Sequence, residues 1–448
     1  MCISRCCWAA WALLLVGCSA EVEGERSAAS LAGDRDPAPE AFARSFGLVN
    51  NARIEAVARG RGGAIAVAGA ATGPQDIGAE RAGTQYVPFM SAFVIGFGPA
   101  GEPRFNSFFP YATFGAVAVD DAGDTLVTGQ ASGSTTFAEI RTSGAGAYVA
   151  RIDPQGRLRS VQTFLGKGAA GTAIAVDLAG DVIVGGVFRE EITIGTEHMT
   201  GAGNVFLAKL RPSGEVAWAT SFRGETPQRL RQIAIDSTGR VAIGGVFSDE
   251  MGLASALLKS NGGTDAFVAA VEPDGRIAWA RSYGGPGDDV PPNIAVANDG
   301  SVLATGTFRG RIDPGSVPIT ARPHERVYVA CFAPDGHPRW AVPLSIADHA
   351  KIAGIAVAPA GDVHVAGTVT GLDYDAYEMP FLATLDGEGR PRKITLFPAR
   401  VAGAIRGIAL DPSGDVILAG QFYPSIALGA SVLQGAGSNN LFLARIAL

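Results

Sequence analysis

Few residues in this chain have the type and spacing to do chemistry. There are five histidines: His198, His324, His337, His349 and His364. Four of them fall in two successive stretches, which could suggest a metal. No ligand spacing joins them, so scattered surface histidines are expected. The acidic neighbours Glu190-Glu191 and Asp288-Asp289 stand in polar segments. Adjacent side chains alternate in direction and make poor acid/base pairs, so solvated loop charge is expected. Asp177 with Asp181, and Asp411 with Asp415, raise the idea of a calcium loop. Calcium needs six or more oxygens, and the pattern lapses at equivalent places further along, so a turn is the better reading. Cys331 has no histidine at a recurring position beside it; a tolerated free thiol is expected. No catalytic set, metal set or cofactor motif emerges. A polar group without a reaction is left: Arg231, Gln232, Asn293 and Arg406. What these do depends on the elements that carry them.

The chain repeats. "IAVDLAGDVIVGGVF" (174–188), "IAIDSTGRVAIGGVF" (233–247), "IAVANDGSVLATGTF" (294–308), "IAVAPAGDVHVAGTV" (355–369) and "IALDPSGDVILAGQF" (408–422) are copies. "VAVDDAGDTLVTGQA" (117–131) belongs with them, and "AVARGRGGAIAVAGA" (56–70) is a looser first copy. Gly63, Gly123, Gly180, Gly239, Gly300, Gly361 and Gly414 align, at spacings of 60, 57, 59, 61, 61 and 53. Another glycine follows each of them six residues later, from Gly69 to Gly420. A fixed period of this size marks an array or a propeller.

One copy reads as strand, turn, strand. Ile174 and Val176 point one way and Ala175 the other. Such a strand suits sandwiching between two close sheets. In D-x-x-G the aspartate hydrogen-bonds the local backbone and the glycine accepts positive φ. A third strand follows, as in "FLAKLRPSG" (206–214) and "FVAAVEPDG" (267–275), ending in a second tight turn. The fourth strand carries aromatics at i and i+4: Trp218 and Phe222, Trp279 and Tyr283, Phe105 and Phe109. Even spacing puts both rings on one face. Each buries about 150–250 Å², so core is expected rather than a row of sugar-stacking platforms.

Four antiparallel strands per copy make a propeller blade. The last copy ends at its third strand, "LFLARIAL" (441–448). "EAFARSFG" (40–47) has Phe42 and Phe46 at the fourth-strand spacing. An all-β, seven-bladed β-propeller with four-stranded blades is therefore expected over residues 40–448. The N-terminal strand completes its last blade and closes the ring. Tight turns then share one face and the long connections share the other. Irregular loops on a rigid scaffold are the expected binding surface. Arg231, Gln232, Asn293 and Arg406 begin inner strands and are expected near the central channel on the long-loop face.

The N-terminus sets the compartment. "MCISRCCWAAWALLLVGCSA" has Arg5, then an apolar run too short to span a bilayer, and reads as a secretory signal over 1–17. Leu15-Val16-Gly17-Cys18 resembles the bacterial lipobox. That resemblance implies cleavage before Cys18 and lipid attachment to its thiol, hence a membrane anchor without a span. Ser19 after the cysteine favours the outer membrane by the same resemblance. Residues 18–39, small and charged, read as a lipidated flexible tether. Of five cysteines only Cys331 stays in the folded part, so no internal disulfide is expected. Loss of Arg5 takes the formal charge from −7 to −8. A mildly acidic chain argues against a nucleic-acid surface.

"GAGNVFLAKLRPSG" (201–214) and "GGTDAFVAAVEPDG" (262–275) resemble the bacterial SBBP-type β-propeller repeats of exported lipoproteins. The resemblance implies a propeller and export, and it implies little about activity. "PSGEVAW" and "PDGRIAW" also share a Gly-x-x-x-Trp spacing with the tryptophan docking motif of quinoprotein propellers, read as common packing geometry. The expected function is a non-catalytic binding or scaffold lipoprotein of the cell envelope, monomeric, with a protein or glycan ligand on the long-loop face. A propeller enzyme acting on carbohydrate or using a quinone is the alternative.

Overall fold

The computed structural model describes residues 41–448, apart from 48–51, 76–84, 134–135, 138–139, 143, 225, 227, 254–255, 309, 316–317, 321–325, 347–348, 371–377 and 436–438. The expected signal, Cys18 and the tether lie outside the described residues. Every element among the described residues is a β-strand. The chain is all-β and propeller-like, a recurrence of one four-stranded antiparallel meander. In the third copy the strands Ala170–Val176, Val182–Ile194, Glu197–Leu210 and Val216–Gly224 pair in chain order. The equivalent first strands are Arg53–Arg59, Ala112–Val119, Arg229–Ile235, Asn293–Val296, Ala350–Val357 and Ala402–Leu410. In the last copy the strand beyond Asn440–Ile446 is Phe42–Gly47, antiparallel to it from Phe42↔Arg445 to Gly47↔Asn440.

The two glycines of each copy do different work. Those from Gly63 to Gly414 all have positive φ, between +79° and +94°. A side chain there would be strained, which is why the turn is written with glycine. Asp177 accepts hydrogen bonds from Asp181 N at 2.9 Å and Ala179 N at 2.9 Å. Asp411 does the same for Asp415 N and Ser413 N. Where aspartate is replaced by Ala297 or Ala358, the backbone bond from Gly300 or Gly361 still closes the turn. The second glycine answers a steric demand instead. A Cβ on Gly129 would lie 1.9 Å from the Thr113 carbonyl oxygen, and one on Gly420 2.0 Å from that of Ala404. The aromatic ring opposite, Tyr148 or Phe442, closes over the same space.

Packing between copies follows the alternation. Ile174 joins the apolar cluster shared with the preceding copy, while Ala173 and Ala175 join the cluster shared with the following one. The i+4 aromatics behave as core: Phe46, Phe109, Phe222 and Tyr283 are buried. Phe105 is buried too, but the tryptophans at the first position depart from the expectation. Trp218, Trp279 and Trp340 are half-buried, and each reaches the neighbouring copy. Their indole N–H groups donate to Pro273 O at 2.9 Å, Pro334 O at 2.9 Å and Gly387 O at 3.2 Å. Their rings lie on Gly275, Gly336 and Gly389, where a Cβ would come within 2.6–2.9 Å. A ring with one polar atom is well placed at such a half-wet joint. Phe42 covers Gly101 in the same way. Trp279→Ala is expected to cost about 2 kcal/mol, below the fully buried range, as a lowered urea midpoint.

The Asp–Asp pairs hold side-chain cations of the protein itself. Lys209 Nζ sits 2.8 Å from Asp177 and 3.0 Å from Asp181. Burial works to lower the Lys209 ammonium pKa, but these two carboxylates outweigh it and hold it above its usual range. Arg151 fills the slot between Asp120 and Asp124, and Arg445 the slot between Asp411 and Asp415. In the fifth copy the whole set is neutral: Cys331 with Ala297 and Ser301. Burial pushes the Cys331 thiol up to about 11, which leaves it an unreactive small hydrophobe at neutral pH.

Candidate functional site

Bulges set the geometry of the site. In Arg53–Arg59, Ala112–Val119, Ala170–Val176, Arg229–Ile235, Ala350–Val357 and Ala402–Leu410 the register slips by one residue. The unpaired residues are Glu55, Gly115, Thr172, Arg231, Ala353 and Arg406. A bulge re-aims the side chain it releases. All six line one cavity of about 240 Å³, together with Asn293 from the fifth copy. Gln232 lines it too. The four polar residues expected at the channel are thus brought together around one space.

They do not play equal parts there. Gln232 Oε1 accepts from Ile294 N at 3.2 Å and ties the fourth copy to the fifth. Thr172 Oγ1 donates to Leu230 O at 2.9 Å and ties the third to the fourth. Arg406 Nε donates to Gln421 Oε1 at 3.1 Å. Asn293 is buried. Among the described residues Arg231 makes no hydrogen bond and no ion pair. It is open to solvent along the cavity yet walled by protein around it. That enclosure lowers the Arg231 pKa by desolvation, opposed by the charge of Glu55. Glu55 is itself engaged at 2.7 Å by Arg53. Arg231 and Asn293 also line a second cavity of about 330 Å³, with Val290, Pro291 and Lys351.

Glu55 was not expected here. The available signal is its position: Glu55, Arg231 and Arg406 each stand eight residues before a turn glycine, Gly63, Gly239 or Gly414. Alignment of the repeats by those glycines puts the three in one layer.

The histidines are not brought together. His198, His337 and His349 are exposed, and His324 lies outside the described residues. His364 departs from the surface expectation: it is buried, with Nδ1 3.2 Å from Thr384 Oγ1. Burial lowers its pKa against the charge of Asp362. Among the described residues no group of three or more His, Cys, Asp or Glu is placed to hold a metal ion. The acidic neighbours divide. Glu190 and Glu191 are exposed as expected, but Asp289 is buried beside Asp265, because the connection 284–289 folds inward onto the hairpin before it.

No family model matches this sequence. An uncharacterized WD repeat-containing protein, L264, of Acanthamoeba polyphaga mimivirus is 29% identical over 117 residues, 25% of this chain. That stretch is 8% of the viral protein's length. Among solved structures, the Dos1 propeller has a TM-score of 0.46 at 11% identity, over 90% of this chain and 95% of that one. The WD40 β-propeller domain of Doa1 has a TM-score of 0.44 at 11% identity, over 90% and 97%.

Proposed function

We propose that the chain is an exported lipoprotein, anchored at Cys18, whose seven-bladed propeller binds an anionic group of a protein or glycan ligand at the mouth of its central channel. The signal and lipobox-like sequence of residues 1–18 supports the anchor. Closure of seven blades is supported by the pairing of Phe42–Gly47 with Asn440–Ile446. The packing of the first inner strand against both the second and the last supports it as well. The SBBP-like repeat motifs fit the same architecture. The role is binding: no nucleophile, acid/base pair or cofactor ligand belongs to this reading. The ligand reading rests on Arg231, a guanidinium without a hydrogen-bond or ion-pair partner among the described residues, standing in a walled cavity. The one anion that acts on it, Glu55, is engaged by Arg53, and a ligand carboxylate or phosphate matches its free fork.

The test has two arms. Full-length protein is captured on resin and exposed to envelope extract, beside the Arg231→Ala/Arg406→Ala variant. A ligand retained by the native chain is expected to drop at least tenfold with the variant, since a charge-assisted bidentate contact contributes about 1.5–3 kcal/mol. Equal capture by both overturns the channel site. In the second arm, labelled palmitate is expected to enter the native chain and not Cys18→Ser. Label in both overturns the anchor.

A further inference from the structure

Asp265 is completely buried, and its Oδ1 has no hydrogen-bond partner. Its other oxygen accepts from Asn261 N at 2.6 Å. Asp289, also buried, arrives from the connection that follows the next strand. Its Oδ2 accepts from Gly285 N at 3.0 Å, and its own N–H donates to Thr264 O at 2.7 Å. The two carboxylates crowd one spot. A Cβ on Gly284 would lie 2.2 Å from Asp265 Oδ1 and 2.5 Å from Asp289 Oδ2. Two buried carboxylates brought to one spot disfavour double ionisation.

The same joint one copy earlier shows what it requires. Sixty-one residues back, Asn204 and Gln228 occupy the positions of Asp265 and Asp289. Gln228 N donates to Gly203 O at 3.0 Å, as Asp289 N does to Thr264 O. With the amide turned to satisfy both its atoms, Gln228 accepts from Gly224 N at 2.7 Å and donates to Phe222 O at 3.1 Å. The backbone frame is therefore shared, and in the third copy it is filled by two neutral amides. An acid pair fits that frame as a neutral-plus-charged pair, with one proton between them.

We propose that Asp265 and Asp289 share one proton and act as a pH-sensitive latch between the hairpin ending at Asp265 and the connection 284–292. The charged groups facing the pair do not neutralise it. Asp288 adds a like charge to Asp289. Tyr283 and Tyr328 are neutral and bonded to each other at 3.2 Å. On the hairpin, Lys259 is engaged by Glu250 at 2.7 Å. On the fourth strand, Arg281 Nε donates to Gly336 O. Burial pushes Asp289 up to about 6, with Asp265 and Asp288 adding to it against the Gly285 N–H. Burial raises Asp265 as well, against the Asn261 N–H. A raised carboxylate keeps its proton in the folded state after the unfolded chain has lost its own. The latch is thus whole at acid pH and is lost as pH rises through about 6. The connection it releases carries Val290 and Pro291, which line the cavity beside Arg231.

The test compares the native full chain with Asp265→Asn/Asp289→Gln, the amide pair already present in the third copy. The native melting temperature is expected to fall between about pH 4 and pH 7 by about 2–3 °C more than that of the variant. The aspartate carboxyl carbon signals of the native chain, followed by NMR, are expected to show one carboxyl titrating near pH 6 and coupled to a second. That measurement needs no variant. Identical pH slopes for the two chains overturn the latch, as does titration of both carboxyls in the ordinary range. Stabilisation of the native chain by calcium chloride at neutral pH, absent in the variant, overturns the shared proton in favour of a bound cation.

Discussion

Deletion of residues 41–47 is expected to abolish cooperative unfolding of the whole propeller-like unit, not merely to shave its stability. Phe42–Gly47 supplies six consecutive register pairs to Asn440–Ile446. Without it, the backbone groups of that strand and the side chains of Leu441 and Leu443 meet water; both are now fully buried. Phe46 would leave a cluster that spans the first and last copies, containing Phe93, Phe97, Ile417 and Leu443. Phe42 would leave Gly101, and Arg44 would lose its bond to Ala100 O at 3.2 Å. A single buried ring is worth several kcal/mol at about 25 cal/mol per Å². Total stability is only about 5–15 kcal/mol, so the loss of this strand takes most of it. The exposed edge is also a template for association. Urea unfolding followed by tryptophan fluorescence checks this. A broad transition with a lowered m-value is expected, and a peptide of residues 40–47 added in trans restores the sharp one. An unchanged midpoint and slope would refute the idea that the two ends of the chain share a blade.

The fourth-strand character of residues 42–47 was legible because it lies in one short pattern, two aromatics four apart. The turn glycines were legible for the same reason: positive φ at Gly180 or Gly414 is a local demand and leaves a local mark. The six-residue partner glycine left an equally clear mark, but its cause did not. The carbonyl that excludes a Cβ at Gly129 belongs to Thr113, on the preceding strand, and becomes visible only once the bulge there is known. Glu55 carries no local mark for the same reason. A bulge is a relation between two strands, so the residue it releases into the cavity is not distinguished within its own strand. The Trp218 and Trp279 spacing announced aromatic packing but not its target, since the glycine each ring covers is 57 residues further along. Asp289 carries no mark within its own segment. Its neighbour Asp288 and its glycine-rich setting read as solvated loop. Only its contact with Asp265, across a strand, makes it a buried acid.

Arg445→Leu carries the second large expectation, a loss of about 3–5 kcal/mol, because it strands two carboxylates that the arginine now holds. Arg445 has an almost fully buried side chain. Its Nε lies 3.0 Å and its Nη2 2.8 Å from Asp415 Oδ2, and Nη2 also meets Asp411 and, at 3.1 Å, Ser413 Oγ. Taking away one partner of a buried pair leaves the desolvation of the other uncompensated, which costs far more than the pair itself contributes. The repeats predict how that cost can be removed. Arg445→Lys is expected to be mild, since Lys209 makes the same two contacts in the third copy, at 2.8 Å and 3.0 Å. Adding Asp411→Ala and Asp415→Ser to Arg445→Leu reproduces the neutral arrangement of Cys331, Ala297 and Ser301, and is expected to return most of the lost stability. Chemical denaturation of the four chains decides it. If the triple variant is no better than Arg445→Leu, the arginine's worth lies in its packing rather than in the charges it neutralises.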